Sequence, residues 1–116
     1  MADNQSSNLP PLDVLYIHQR KIKNTSLVGG KLEAQICPYS GWAIGQRIKL
    51  WIGSADNERE GEYLSPEVSV VEKDKGLKVY FAADLLRKYN HRKISLGYNV
   101  NGGKLSSKVI LDVDIS

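Results

Sequence analysis

The 116-residue chain is poor in cysteine, holding only Cys37, so an intradomain disulfide is excluded. Histidine is nearly as scarce: His18 and His91 lie in separate segments. With no His-x-x-x-His, Cys-x-x-Cys or carboxylate–histidine cluster, a structural zinc site is not expected. No Gly-x-Ser-x-Gly elbow supports a serine triad. The glycine pairs Gly29-Gly30 and Gly102-Gly103 lack the Lys-Ser/Thr or following helix of a phosphate cradle, and read as turn glycines. Catalysis needs convergent reactive groups, so an enzyme is not expected, nor is a cofactor. No apolar run approaches the roughly 20 residues of a membrane helix. Met1 to Asn8 lacks the basic and apolar regions of a signal peptide. The expectation is a soluble protein without membrane insertion, cytoplasmic or exported without a cleavable signal peptide. Charge of one sign is missing too. Sixteen Lys and Arg face 13 Asp and Glu, which disfavours nucleic acid as a partner.

What is present is alternation. Ile94, Leu96, Tyr98 and Val100 alternate with Lys93, Ser95, Gly97 and Asn99; Val109, Leu111, Val113 and Ile115 alternate with Lys108, Ile110, Asp112 and Asp114. A period of two predicts strands with one buried and one wet face. Asn101-Gly102 between the runs is a hairpin signal, because both loop residues need positive φ. That loop pairs Ile94 with Val109, Leu96 with Ser107 and Tyr98 with Leu105. A Gly102-Gly103 loop also keeps the faces matched, whereas a three-residue loop needs a bulge.

Residues 1–11 read as a flexible tail closed by the stiff pair Pro10-Pro11, and 12–116 as one domain. Val14, Tyr16 and His18 begin a first strand, apolar on both sides, near an edge and suited to switching sheets. Gly29-Gly30 opens a strand with Leu32, Ala34 and Ile36 inward. Cys37 at its end is expected to be a buried or half-buried small apolar group. Pro38 to Trp42 must turn. Ile48, Leu50 and Ile52 share a face, which leaves Trp51 on the other, partly exposed or covered by a loop. Ser54 to Gly61 is a polar loop whose carboxylates, Asp56 to Glu62, lack calcium-loop spacing. Pro66 before Val68 and Val70 marks an edge strand. Leu77, Val79 and Phe81 face in, opposite Lys78 and Tyr80. Good helix formers over 83–89 break the period and predict a short helical turn.

Counting gives an all-β chain of about seven strands, spaced as in an antiparallel two-sheet sandwich or a barrel. From Leu9 to Ile115 it resembles one unit of the bacterial immunoglobulin-like domains repeated in large surface and adhesin-type proteins. The residues carrying the likeness are Pro38-Tyr39-Ser40-Gly41-Trp42 followed by Gly45 to Leu50, then Phe81 to Leu86, Ile94 to Val100, and Ser106-Ser107 before Val109 and Leu111. The resemblance implies an immunoglobulin-like (Ig-like) β-sandwich with an interaction or structural role. Gln46 stands where an acidic residue is common.

Two surfaces carry the candidate binding residues. One is aromatic: Tyr39, Trp42 and Trp51, with Tyr63 near. It suits either a protein partner or a carbohydrate, unless Trp42 merely caps the end of the domain. The other is basic: Arg87, Lys88, His91, Arg92 and Lys93, opposed by the acidic loop. The expected function is non-enzymatic docking to a protein partner or to itself, with carbohydrate binding through Tyr39, Trp42 and Trp51 as the alternative.

Overall fold

Alternation in sequence becomes two β-sheets in the computed structural model, which describes residues 9–57, 59–64 and 67–115. Among these residues the chain runs β1 (Asp13–Val14), β2 (Lys21–Lys23), a 3-10 turn (Asn24–Ser26), β3 (Leu27–Val28), β4 (Lys31–Ile36), β5 (Arg47–Ser54), β6 (Gly61–Tyr63), β7 (Val68–Ser69), β8 (Leu77–Ala82), α1 (Ala83–Arg87), β9 (Lys93–Val100) and β10 (Val109–Asp114). In the first sheet β4 is central, with β8 along one side and β1 and β3 sharing the other. The second sheet has the order β2-β10-β9-β5, and β6 and β7 divide the outer edge of β5. Leu32, Ala34, Ile36, Val79 and Phe81 from the first sheet join Ile48, Ile52, Leu96, Tyr98, Leu111 and Val113 from the second in one buried cluster.

The expectation of purely antiparallel pairing is corrected at β2, which runs parallel to β10, Ile22 beside Val113. The first strand ends at Val14 instead of continuing to His18. Tyr16, Gln19 and Arg20 take left-handed φ values of 63°, 50° and 62°, which ordinary residues adopt only in turns. His18 and Lys21 exchange backbone hydrogen bonds of 3.1 and 2.9 Å across that turn. The chain thereby leaves β4 and enters the second sheet, the switch that its two-sided apolar character suggested. Ahead of it, the Ser107 amide donates to the Leu9 carbonyl and the Tyr98 hydroxyl to the Pro10 carbonyl, at 3.3 and 2.8 Å. Residues 9–11 are therefore tied to the domain. Burial above all holds the Tyr98 phenol well above its ordinary value of 10.0. Residues 1–8 of the expected tail, Glu58 of the acidic loop, and Pro66 with its edge reading lie outside the described residues.

The hairpin keeps its turn and changes its register. Asn101 and Gly102 both have positive φ, 52° and 76°, and the Gly103 amide donates to the Val100 carbonyl. The Ser106 amide then donates to the Tyr98 carbonyl, and further along Leu96 lies opposite Val109 and Ile94 opposite Leu111. Two extra residues have been absorbed between Lys104 and Lys108. A slip of two preserves every inward side chain, so the faces stand while the expected pairs do not. The result is the register that a Gly102-Gly103 loop sets, reached from the other turn.

Three further expectations change. The second face of β9 is not wet: Ser95 and Asn99 are buried, and a Cβ on Gly97 would lie 3.1 Å from Leu105 and Ser106. Cys37 is exposed, because Ile36 occupies the inward position and the next residue must point out. The helix stops at Arg87, short of 89, with Lys88 as its cap. Beyond it the Asn90 side-chain amide bonds both the N–H and the C=O of Ile115, pinning the chain end.

Leu96 is fully buried between β5 and β10, whereas Val109 is half-buried near the irregular segment. Leu96→Ala is expected to cost about 3 kcal/mol. Val109→Ala is expected to cost about 1 kcal/mol. Urea denaturation of both variants measures the difference. Equal losses would place Val109 as deep as Leu96.

Candidate functional site

The turn from β4 to β5 assembles the first group of candidate residues. Tyr39 and Trp42 meet edge to face, with ring centroids 4.9 Å apart and planes at 77°. The Tyr39 hydroxyl donates to the Gln46 side-chain carbonyl at 2.5 Å, and burial pushes its phenol up. The same oxygen accepts from the Ala43 amide at 3.2 Å, and the Gln46 Nε2 donates to the Gly41 carbonyl at 2.9 Å. The Trp42 indole donates to the Glu72 carbonyl at 2.9 Å. Each polar handle is thus spent inside the corner. An acid in place of Gln46 has no N–H to give Gly41, so the departure from the resembled pattern has a local reason. Trp42 packs against the core from the end of the domain, as the capping reading has it.

Trp51 lies far from exposed. Parity sends it to the face opposite Ile48, Leu50 and Ile52, but only 8% of it is accessible. The indole lies against Gly53 and Gly61, where an added Cβ would stand 2.4 and 2.3 Å from its ring atoms. The Lys108 ammonium sits over it, 5.0 Å from the ring centroid. Trp51 is therefore a cover for the outer face of the second sheet, and the exposed aromatic platform is corrected. The signal was in the sequence: Gly53, two residues on, leaves the space an indole needs on one side of a strand. Tyr63, opposite Trp51 across the β5–β6 pair, is exposed.

The basic cluster is largely compensated. Arg92 makes a two-pronged pair with Glu60, at 2.7 and 3.0 Å, and stacks 5.4 Å from the Tyr89 ring. Arg87 bonds Asp84 at 2.5 Å, and Lys93 lies 3.5 Å from Asp112. His91 comes within 3.8 Å of Asp114. Lys88 is exposed. What the sequence presented as opposed basic and acidic surfaces folds into ion pairs, one of which ties the β5–β6 loop to the start of β9.

A further feature escaped the sequence reading. β8 is six residues long and pairs only with β4; no strand among the described residues lines its other side. Beside that open edge runs a groove of about 560 Å³, lined by Leu50, Leu64, Val68, Val79 and Leu85, with Lys31 and Lys78 at its rim. Lys78 and Tyr80 alternating outward are visible in the sequence, but edge status belongs to sheet order. Among the described residues no three His, Cys, Asp or Glu side chains group to hold a metal ion. Among the same residues no helix is long and apolar enough to cross a membrane.

No family model, no curated protein and no solved structure matches the chain.

Two outcomes follow from these contacts. Gly61→Ala drives a methyl into the Trp51 ring and is expected to cost about 2 kcal/mol. Since the three atoms nearest that methyl all belong to the indole, Trp51→Ala should remove most of that cost, leaving a coupling above about 1 kcal/mol in a double-mutant cycle. Additive losses would mean the indole does not lie over Gly61. The second outcome concerns pH. The Arg92 hydrogen bond holds the Glu60 carboxyl below its ordinary value of 4.5. The stability this pair supplies is complete above that value and is lost as pH falls through the lowered one. Glu60→Gln should therefore differ from wild type at pH 6 and converge with it in strong acid. Melting curves between pH 6 and 2 read this, and the difference is small because both groups are solvent-exposed.

Proposed function

We propose that the domain is a non-enzymatic protein-binding module on an immunoglobulin-like sandwich. Strand order supports the fold. A first strand that pairs with β4 and then crosses to lie parallel to the last strand, and a second sheet running β10-β9-β5, follow the arrangement of that fold. The chain departs from it by having no fourth strand outside β8 among the described residues. The observation that carries the binding role is that same open edge. A six-residue strand with one edge unpaired is a template for another chain, and soluble domains ordinarily blunt such an edge.

Carbohydrate stacking has lost its premise. It needs accessible, roughly coplanar rings, and here Trp51 is covered while Tyr39 and Trp42 stand at 77°. Nucleic-acid binding gains nothing from a basic cluster already paired with Asp84, Glu60 and Asp112.

A photo-cross-linking residue placed singly at exposed Tyr16, Ile44, Val71, Tyr80 and Ile110 tests the reading in lysate of the source cell. At least one position is expected to yield a discrete protein adduct that an unrelated lysate does not. Adducts at none, together with binding on a glycan array, would sink the protein-binding role and restore the carbohydrate one.

A further inference from the structure

We propose that β8 and its groove take up an extended segment of another protein as an added strand, and that the segment alternates apolar with acidic residues. The inference rests on the binding-module reading and adds to it the surface and the chemistry of the partner.

Hydrogen-bond phase comes first. The Ala83 amide donates to the Gly30 carbonyl at 3.0 Å, at the end of a ladder that places Phe81 opposite Leu32 and Val79 opposite Ala34. Antiparallel residues alternate between pairs that exchange backbone bonds and pairs that do not. Counting back from Ala83, Phe81 and Val79 spend their backbone groups on β4. Lys78, Tyr80 and Ala82 aim theirs the other way. The Leu15 amide donates to the Glu33 carbonyl from the far side of β4, which fixes the same phase independently, since Glu33 lies opposite Tyr80. The N–H groups of Lys78, Tyr80 and Ala82 and the C=O groups of Lys78 and Tyr80 thus face the open side with no strand beside them among the described residues, while the Ala82 C=O, at the N-cap of α1, belongs to the helix.

The groove decides what kind of strand fits. A chain laid beside β8 turns every second side chain toward Leu50, Leu64, Val68 and Leu85, so those positions are apolar. The intervening positions stand on the outer face beside Lys78 and Tyr80. Among the described residues two lysines and no carboxylate line the groove, with Lys31 held 5.8 Å over the Tyr80 ring. Lys78 already lies 3.6 Å from Glu33, yet its side chain remains exposed. Acidic side chains therefore complement the rim.

A second copy fits less well. Its own β8 would arrive with Val79 and Phe81 already buried in its core, at 2% and 0% accessibility, and would leave the groove unfilled. The chain's first eight residues hold Met1 as their one large apolar side chain and no alternation. A segment of another protein, with its side chains free, satisfies both edge and groove.

The test uses the full chain and a fluorescent hexapeptide alternating valine and aspartate, with a valine–lysine peptide and a valine–aspartate sequence of scrambled order as controls. Nitrogen-15 NMR should show the Lys78, Tyr80 and Ala82 amides shifting and gaining exchange protection with the acidic peptide. Anisotropy should give at least tenfold weaker binding for either control. Tyr80→Pro removes an outward N–H, costs no bond to β4, and should abolish binding. Should that variant fail to fold, Lys78→Glu serves instead, lowering affinity for the acidic peptide and raising it for the valine–lysine one. Absence of peptide binding overturns the proposal, as do shifts confined to another surface. Concentration-dependent protection of the three amides without peptide also overturns it, in favour of a second copy. Cross-linked adducts at positions other than 80 would leave the binding module standing while removing this surface.

Discussion

Burial of β9 on both faces is the constraint on which the rest of the structure depends. The strand is flanked by β5 and β10, and its inward residues Ile94, Leu96 and Tyr98 are fully buried. Its outward residues, Ser95, Gly97 and Asn99, are small or polar and are covered all the same. A covered outer face needs a lid, and the lid here has two parts. Trp51 lies over Gly53 of its own strand and Gly61 of β6, and the slack between Lys104 and Lys108 lets Leu105 fold onto Gly97 while Lys108 reaches the indole. The two-residue slip in the hairpin and the buried tryptophan are therefore one adaptation.

The edges of the two sheets are treated unequally. β2, β3, β6 and β7 are two or three residues long, and short edges offer a poor template. β8 offers six residues with regular phase and an apolar groove beside them. Polar chemistry elsewhere is mostly internal: Gln46 ties the Tyr39–Trp42 turn, Asn90 holds Ile115, and Glu60 holds Arg92. The groups that face outward without such engagement include the backbone of the β8 edge.

The sequence by itself determined which residues point inward. Period two placed Leu32, Ala34, Ile36, Val79, Phe81, Leu96 and Val113 correctly, since side-chain direction along a strand follows from backbone pleat alone. It also determined the Asn101-Gly102 turn, through the φ preference of those two residues. Only the tertiary structure decided strand register, sheet order and the fate of the outward residues. A slip of two leaves the inward set unchanged, so no periodicity can detect it. The parallel pairing of β2 depends on where three left-handed residues send the chain. Trp51 and Arg92 were legible as large or charged, but what covers or pairs them lies on another strand or loop: Gly61 and Lys108, or Glu60, 32 positions from Arg92. The open edge of β8 was the least legible feature, because an edge is defined by the strand that is not beside it.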